Sequence, residues 1–416
     1  MENQSTYSEK TELTGNQTQE TDKIQIGLFG FGCVGQGLYD VINEAQNLKA
    51  SIQKICVKDK NKKRKIDQSY FTYDKSDIFN QKDLDVVVEL IDTADQALEL
   101  VETALNNKTD VVSANKKLIA ENFKRLYDLQ KANNSALLYE GACAGSIPII
   151  RTLEEYYDNE LVSSVRGILN GSTNYILTKM ELEGKPYEEV LTEAQEIGFA
   201  EADPWLDVAG FDPKYKISIL TAHAFGVIVN PEDVLNLGIQ NVSTEDIQYA
   251  KEKDLRIKLI ASTKKEGEKI RVYVLPSFVK KGTDLYNILN EYNAVEIEGA
   301  FSDKQTFVGK GAGSHPTGSA VLSDISALTY NYKYGYKKLK KNLEEGITQN
   351  QVEKDFSIKL YIRYSNPEEI KDLEVLDVYE KYTSSNYNYI IADVQFKSLF
   401  NFYNNKESKV FFATTE

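Results

Sequence analysis

Histidine is almost absent from this chain, with two in 416 residues, so proton transfer in any reaction it catalyses falls to another group. Cysteine is scarce as well. Cys33, Cys56 and Cys143 lie far apart, form no CxxC or Cys/His cluster and sit among apolar neighbours, as core cysteines do, which fits a reducing, cytoplasmic home. Basic residues are outnumbered, 49 against 63 acidic, and the formal charge of -14 repels phosphate. With no RNA or DNA motif present, nucleic acid is excluded as a partner. No run is apolar enough over a sufficient length to span a bilayer, so no membrane role is expected. Residues 1–21 are polar and lack an apolar core, which rules out a signal peptide and predicts a disordered tail. There is no convincing internal repeat.

What the chain does have is apolar material for real cores, 41% of its residues, enough for two or three globular domains. Residues 26–40 read IGLFGFGCVGQGLYD. An apolar strand (Ile24, Ile26, Leu28) leads into Gly30-Phe31-Gly32-Cys33-Val34-Gly35, and a helical spacing follows through Leu38, Val41 and Ile42. At such a strand-to-helix turn Gly30 permits the tight turn, Gly32 lets backbone approach a pyrophosphate, and Gly35 lets helix and strand pack. Strands predicted at 51–57, 84–91 and 109–114 alternate with helices, implying an α/β, doubly wound Rossmann domain over residues 22–140. Helices mixed with alternating strands then predict an α+β domain over 141–315. The stretch 346–416 alternates in a way that suggests a small βαββαβ unit, with a charged helical segment after the first strand and a second helix near 400.

Cofactor preference turns on the end of the second strand, Val57-Lys58-Asp59, followed by Lys60, Lys62, Lys63 and Arg64. Asp59 keeps NAD open, whereas Lys58 and the basic cluster lean toward NADP; a plain solvated loop is the alternative. Lysine is the natural acid in a chain so poor in histidine, because a desolvated ammonium near other cations has a lowered pKa. Lys116 follows the strand TDVVSA, and Lys216 follows a stretch dense in carboxylates: Glu201, Asp203, Asp207 and Asp212. Asp212-Pro213 reads as an N-cap with proline at the first helical position, setting Lys216 on the same side as Asp212 with its pKa pushed down by the helix dipole. A bare cap and a surface lysine paired to it would give the same spacing.

Six segments in order, GLFGFGCVGQGL, VVSANKKLIA, LYEGACAGSIPII, GILNGSTNYIL, AQEIGFAEADPWLDVAGFDPKYK and GKGAGSHPTGSAVLSDI, closely resemble homoserine dehydrogenase over residues 24–340. The resemblance implies NAD(P)H-dependent interconversion of L-aspartate 4-semialdehyde and L-homoserine, in threonine, methionine and isoleucine biosynthesis. With only a short polar stretch upstream, it implies the monofunctional form, as a dimer or tetramer. It assigns the pyrophosphate loop to Gly30, Phe31, Gly32, Cys33, Val34 and Gly35, with Asn115 and Lys116 near the nicotinamide, Gly311 and Gly313 on a returning loop, and a returning segment at 316–345 that completes the Rossmann domain. Substrate binding falls to Glu201, Asp207, Asp212, Gly171 and Thr173, and proton transfer or orientation of the reacting oxygen to Lys216 and Lys116, with Lys216 favoured. Glu140, Cys143, Gly145 and Ile147 match positions that hold a monovalent cation such as sodium, largely through backbone carbonyls. His315 would gate the pocket, bind substrate or simply face solvent; His223 reads as a satisfied core residue. The tail resembles an ACT domain, although the usual glycine between first strand and first helix is missing from IRYSNPEEIKDLEV. A catalytically silent dinucleotide-binding regulator would not need the lysines and carboxylates together; another amino-acid dehydrogenase would not present this order of segments.

Overall fold

The computed structural model describes residues 23–45, 50–159, 161–347, 351–384 and 387–415, so the tail expected over residues 1–21 lies outside the described residues. Six strands, β1 (Ile24–Phe29), β2 (Ala50–Cys56), β3 (Phe71–Thr72), β4 (Val86–Glu89), β5 (Asp110–Ser113) and β6 (Leu137–Leu138), form a wholly parallel sheet in the order β3-β2-β1-β4-β5-β6. Helices cover the sheet, and its central strands read as almost unbroken apolar runs: Ile26, Leu28, Val86, Val87, Val88, Val111 and Val112 are all buried. Strand order reverses between β1 and β4, so their carboxyl ends diverge and open a crevice there. Gly30 sits at that point with φ +94°, and a Cβ on it would lie 2.3 Å from the Leu90 carbonyl oxygen. The helix Ser314–Leu328 returns from far along the chain to pack on the helix Cys33–Glu44, and the Ser314 hydroxyl donates to the Cys33 carbonyl at 2.9 Å.

The second sheet is larger and mixed. Its strands are β7 (Val162–Ile168), β8 (Leu235–Asn236), β9 (Leu255–Glu266), β10 (Lys269–Lys280), β11 (Tyr292–Gly299), β12 (Asp303–Lys310), β13 (Ser357–Tyr364), β14 (Val375–Thr383), β15 (Asn388–Gln395) and β16 (Phe411–Thr415). The order is β12-β11-β7-β9-β10-β16-β13-β15-β14, with β8 beside β10. The helix Phe211–Phe225 packs on β7 and β9 and also on the helix Lys116–Asn133 that follows β5. Every residue from Asp212 to Phe225 is buried, because this helix is covered on all sides. It runs between two glycines in left-handed conformation, Gly210 and Gly226.

The C-terminal region departs from its expected form in two ways. The charged stretch after β13, expected as a helix, holds a single 3₁₀ turn (Pro367–Ile370) and then β14; the helix expected near 400 is the 3₁₀ segment Phe396–Phe402. β14 is an edge strand exposed at nearly every position, so its sequence shows no inside–outside alternation that would mark it as a strand. The order β16-β13-β15-β14 is antiparallel throughout, and β16 pairs in parallel with β10, which makes the region a continuation of the second sheet.

The first two glycines of the turn after β1 predict opposite outcomes. Gly30→Ala must strain a positive φ and push into the Leu90 carbonyl, costing about 2 kcal/mol or more in denaturant melts. Gly32→Ala, with nothing within 4 Å of the added methyl, leaves the melting midpoint unchanged.

Candidate active site

The turn after β1 forms one wall of a cleft of about 650 Å³ at the carboxyl ends of β1, β2 and β4. Gly32 is exposed to this space, and the helix Cys33–Glu44 begins immediately after it, so the free N–H groups of its first turn face the cleft as a ready anion site. Cys33 is exposed and Val34 half-buried at that first turn, whereas the Phe31 side chain is buried against Tyr39 and Phe71 and leaves only its backbone to a ligand. Gly35 is buried where a Cβ would meet the Gly30 carbonyl oxygen. Lys58, Asp59, Lys62, Arg64 and Lys75 line the far end of the cleft. The Asp59 Oδ1 accepts from the amides of Asn61 (2.8 Å) and Lys62 (3.2 Å), closing its own turn. Arg64 donates to the carbonyls of Asp59 (2.8 Å) and Lys62 (3.0 Å) and stacks over Phe71.

The chemical centre lies where the two sheets meet. Asp212, 4% exposed, reaches Lys116 Nζ with Oδ1 at 2.7 Å and Lys216 Nζ with Oδ2 at 2.7 Å. Lys116 comes from the first turn of the helix after β5, and Lys216 lies one turn beyond Asp212 on its own helix. Lys216 also donates to the Leu169 carbonyl at 2.7 Å. Asn170, which caps the helix Gly171–Glu183 through Thr173 N, uses its Nδ2 to join Asp207 Oδ1 (2.7 Å) and Asp212 Oδ2 (3.0 Å). Asn170 opens the segment Asn170-Gly171-Ser172-Thr173-Asn174 that the resemblance sets at the substrate, but sequence spacing gives no sign that it joins the two aspartates.

Electrostatics here reverse the expected direction for one lysine. The Asp212 carboxylate beside Lys116 outweighs desolvation and holds its ammonium above the ordinary lysine value. Burial alone would push Asp212 up, but the ammonium groups of Lys116 and Lys216 together hold it well below the usual carboxylate range. Asp207 moves the other way, raised by burial and by the charge on Asp212. Nor is Asp212 the helix cap: the helix begins at Phe211 after Gly210, which leaves the Asp212 carboxylate free for the lysines.

Other expected residues fall into place less directly. Glu201 is exposed on the loop before the short helix Trp205–Val208 and adds to the field at Lys116. Gly171 sits against the Glu291 carbonyl, and the fully buried Thr173 turns its hydroxyl back to the Asn170 carbonyl at 3.1 Å. The Asn115 side chain is engaged at both ends, accepting from Leu118 N and donating to the Ile91 carbonyl. Beneath it lies Glu89, a carboxylate in the apolar run VVVE, bonded to Ser113 Oγ (2.6 Å) and Ile91 N (2.7 Å) and pushed up to about 7 by burial. Gly311 is buried against Asn293 just after β12. His315 is exposed in the first turn of its helix, 3.5 Å from Asp40, and His223 is buried between Glu154 (2.6 Å) and Tyr139 (2.9 Å).

The residues proposed for a cation, Glu140, Cys143, Gly145 and Ile147, share one tight loop. The Glu140 carboxylate accepts from the amides of Ile150 (2.7 Å) and Arg151 (2.9 Å). The carbonyls of Glu140 and Ile147 accept from Cys143 N and Ile149 N. Among the described residues no group of three or more His, Cys, Asp or Glu side chains is placed to hold a metal ion. No helix among the described residues is long and apolar enough to cross a membrane.

Comparison with known proteins matches this geometry. Residues 30–140 match the family model described as homoserine dehydrogenase, NAD binding domain, and residues 148–326 the one described as homoserine dehydrogenase. A homoserine dehydrogenase of Bacillus subtilis is 40% identical over 321 residues, covering 75% of this chain and 74% of its own. One from Neisseria gonorrhoeae is 37% identical over 310 residues, covering 73% and 71%. Among solved structures, a homoserine dehydrogenase from Thiobacillus denitrificans superposes with a TM-score of 0.82 at 26% identity, covering 95% of this chain and 98% of that one. That of S. aureus at pH 6.5 gives a TM-score of 0.72 at 30% identity, covering 95% and 99%. A hyperthermophilic archaeal homoserine dehydrogenase mutant in complex with NADPH gives 0.65 at 26% identity, covering 75% and 99%. The parallel sheet with its glycine turn, the second sheet and the two-lysine carboxylate centre thus stand in an oxidoreductase that belongs to the homoserine dehydrogenase family.

Proposed function

We propose that this chain interconverts L-aspartate 4-semialdehyde and L-homoserine with NADP(H), using Lys216 as the proton donor and Lys116 to orient the reacting oxygen. The observation that carries this reading is the buried Asp212 bridge between the two ammonium groups. When bound, the nicotinamide supplies or accepts the hydride at the substrate's C4 carbon. The chain's own residues do the rest. Two of the three N–H bonds of Lys216 are engaged, one by Asp212 and one by Leu169 O, which leaves one to give to the oxygen of the aldehyde as it becomes an alkoxide. Lys216 is 6% exposed, so that proton moves where water is largely excluded. The Lys116 side chain is 42% exposed at the end of the parallel sheet, and its charge, fixed by Asp212, suits it to orienting the same oxygen. Asp207 and Glu201 supply negative charge for the substrate's ammonium group, and the Gly171 turn at a helix N-terminus suits its carboxylate.

The cofactor fits the cleft: Gly32 leaves room for a pyrophosphate and Gly30 cannot carry a Cβ. NADP is favoured over NAD because Asp59 is drawn into its own turn while Lys58, Lys62 and Arg64 line the same end. A homo-oligomer, dimer or tetramer, and a place in threonine, methionine and isoleucine synthesis complete the proposal.

Lys216→Ala is expected to lower kcat by at least about 100-fold, the scale of a lost general acid, while NADPH binding followed by fluorescence stays near wild type. A variant with wild-type rate would remove Lys216 from the chemistry. Arg64→Ala together with Lys62→Ala is expected to raise KM for NADPH about tenfold or more and leave KM for NADH unchanged, since only the former carries a 2′-phosphate. Equal effects on both cofactors would show that this end of the cleft does not read the phosphate.

A further inference from the structure

The helix Phe211–Phe225 carries a third lysine that the reaction leaves unused. Lys214 is fully buried, yet among the described residues no carboxylate stands within ion-pair distance of it. Its Nζ donates instead to the Tyr403 hydroxyl at 2.8 Å and lies over the rings of Tyr403 (4.7 Å) and Phe211 (5.3 Å). Burial pushes its pKa down to about 8, against the more distant charges of Glu232, Glu121 and Asp233. Two residues apart on a helix, Lys214 and Lys216 point to opposite sides: Lys216 to Asp212, Lys214 to the C-terminal region.

The same region reaches the neighbouring helix. Three residues beyond Tyr403, the Lys406 ammonium lies 4.3 Å over the ring of Trp205, which opens the helix Trp205–Val208 that carries Asp207. The loop behind is pinned to the second sheet's connections, since Asn241 Nδ2 donates to the carbonyls of Ser408 (2.9 Å) and Val410 (3.0 Å). Each of the two helices that bear site carboxylates is therefore touched by one side chain from residues 403–406. An apolar contact would fix only how closely these helices are approached. A hydrogen bond to a buried ammonium is directional, and it fixes the rotation of the Phe211–Phe225 helix about its axis as well.

We propose that Tyr403 and Lys406 are positioning residues for the reaction, holding the helices of Asp212 and Asp207 from outside the site so that their carboxylates keep the spacing the amino-acid substrate needs. The proposal rests on reading that carboxylate cluster as the substrate site. It makes the C-terminal extension of the second sheet part of the catalytic unit.

Trp205 is the single tryptophan of the chain, so its emission reports on this contact without labelling. L-Homoserine is titrated, with no nucleotide present so that no turnover occurs, into the wild-type chain, Tyr403→Phe and Lys406→Met; emission gives the dissociation constant, and steady-state assays give kcat and KM for each substrate. Tyr403→Phe and Lys406→Met are each expected to weaken homoserine binding and raise its KM by about 3- to 10-fold, the scale of one charge-assisted hydrogen bond or cation–π contact. KM for NADP should stay near wild type for both variants and the melting temperature for Lys406→Met, whereas Tyr403→Phe should melt lower because the buried Lys214 ammonium loses its acceptor. Folded variants that bind and turn over homoserine like the wild type overturn the proposal. If Tyr403→Phe does not fold, Lys406→Met decides, because Lys406 is exposed. A wild-type chain that neither responds to homoserine nor turns it over would sink the substrate-site reading, and the proposal with it.

Discussion

One buried carboxylate between two ammonium groups is the interaction on which the rest of the site depends. Asp212 joins Lys116, at the edge of the parallel sheet, to Lys216, on the helix beneath the second sheet. It is therefore an electrostatic tie between the parallel-sheet layer and the layer of the second sheet. Removing one member of such a buried set costs about 3–5 kcal/mol, because the charges left behind have lost their water as well as their partner. Asn170 extends the tie to Asp207, so that two carboxylates and two ammonium groups share one hydrogen-bonded cluster with no net charge. A cluster balanced in this way tolerates burial, and the added negative charge of Glu201 at its mouth suits it to receive one further cation.

The second constraint is backbone shape. At the reversal of strand order the chain must turn sharply after β1 and then begin a helix whose first N–H groups stay free. Gly30 satisfies the first demand and Gly32 keeps the second accessible. Ser314, returning from a distant part of the chain, donates its hydroxyl to the Cys33 carbonyl in the first turn of this helix. Glu89 and Ser113 brace the neighbouring strand ends, and through Asn115 they fix where the helix of Lys116 begins.

Local patterns were legible where local physics decides them. Strands β1, β2, β4 and β5 and the helix after the glycine turn stand where apolar periodicity put them, and the i,i+4 spacing of Asp212 and Lys216 is a contact in the fold. Readings failed where a partner from elsewhere took over. Lys116 was expected to have a lowered pKa, but a carboxylate almost a hundred residues away raises it. Asp212-Pro213 imitated a cap because a cap and a site carboxylate use the same residue types near a helix start. The C-terminal edge strand was hidden because exposure on both faces removes the alternation that identifies strands.

The sequence by itself determined the glycine turn, the parallel alternation of strands and helices, the pairing of Asp212 with Lys216 and, through six ordered segments, the family. Each is set by neighbours along the chain or by the residue types a shared chemistry demands. Only the tertiary structure decided that Lys116 and Lys216 share one carboxylate, that Asn170 joins both aspartates, that Lys214 leans on a tyrosine from the far end of the chain, and that the C-terminal strands extend the second sheet. Burial and Coulomb forces act through space, and which charges meet in a dry interior is settled only when distant segments pack together.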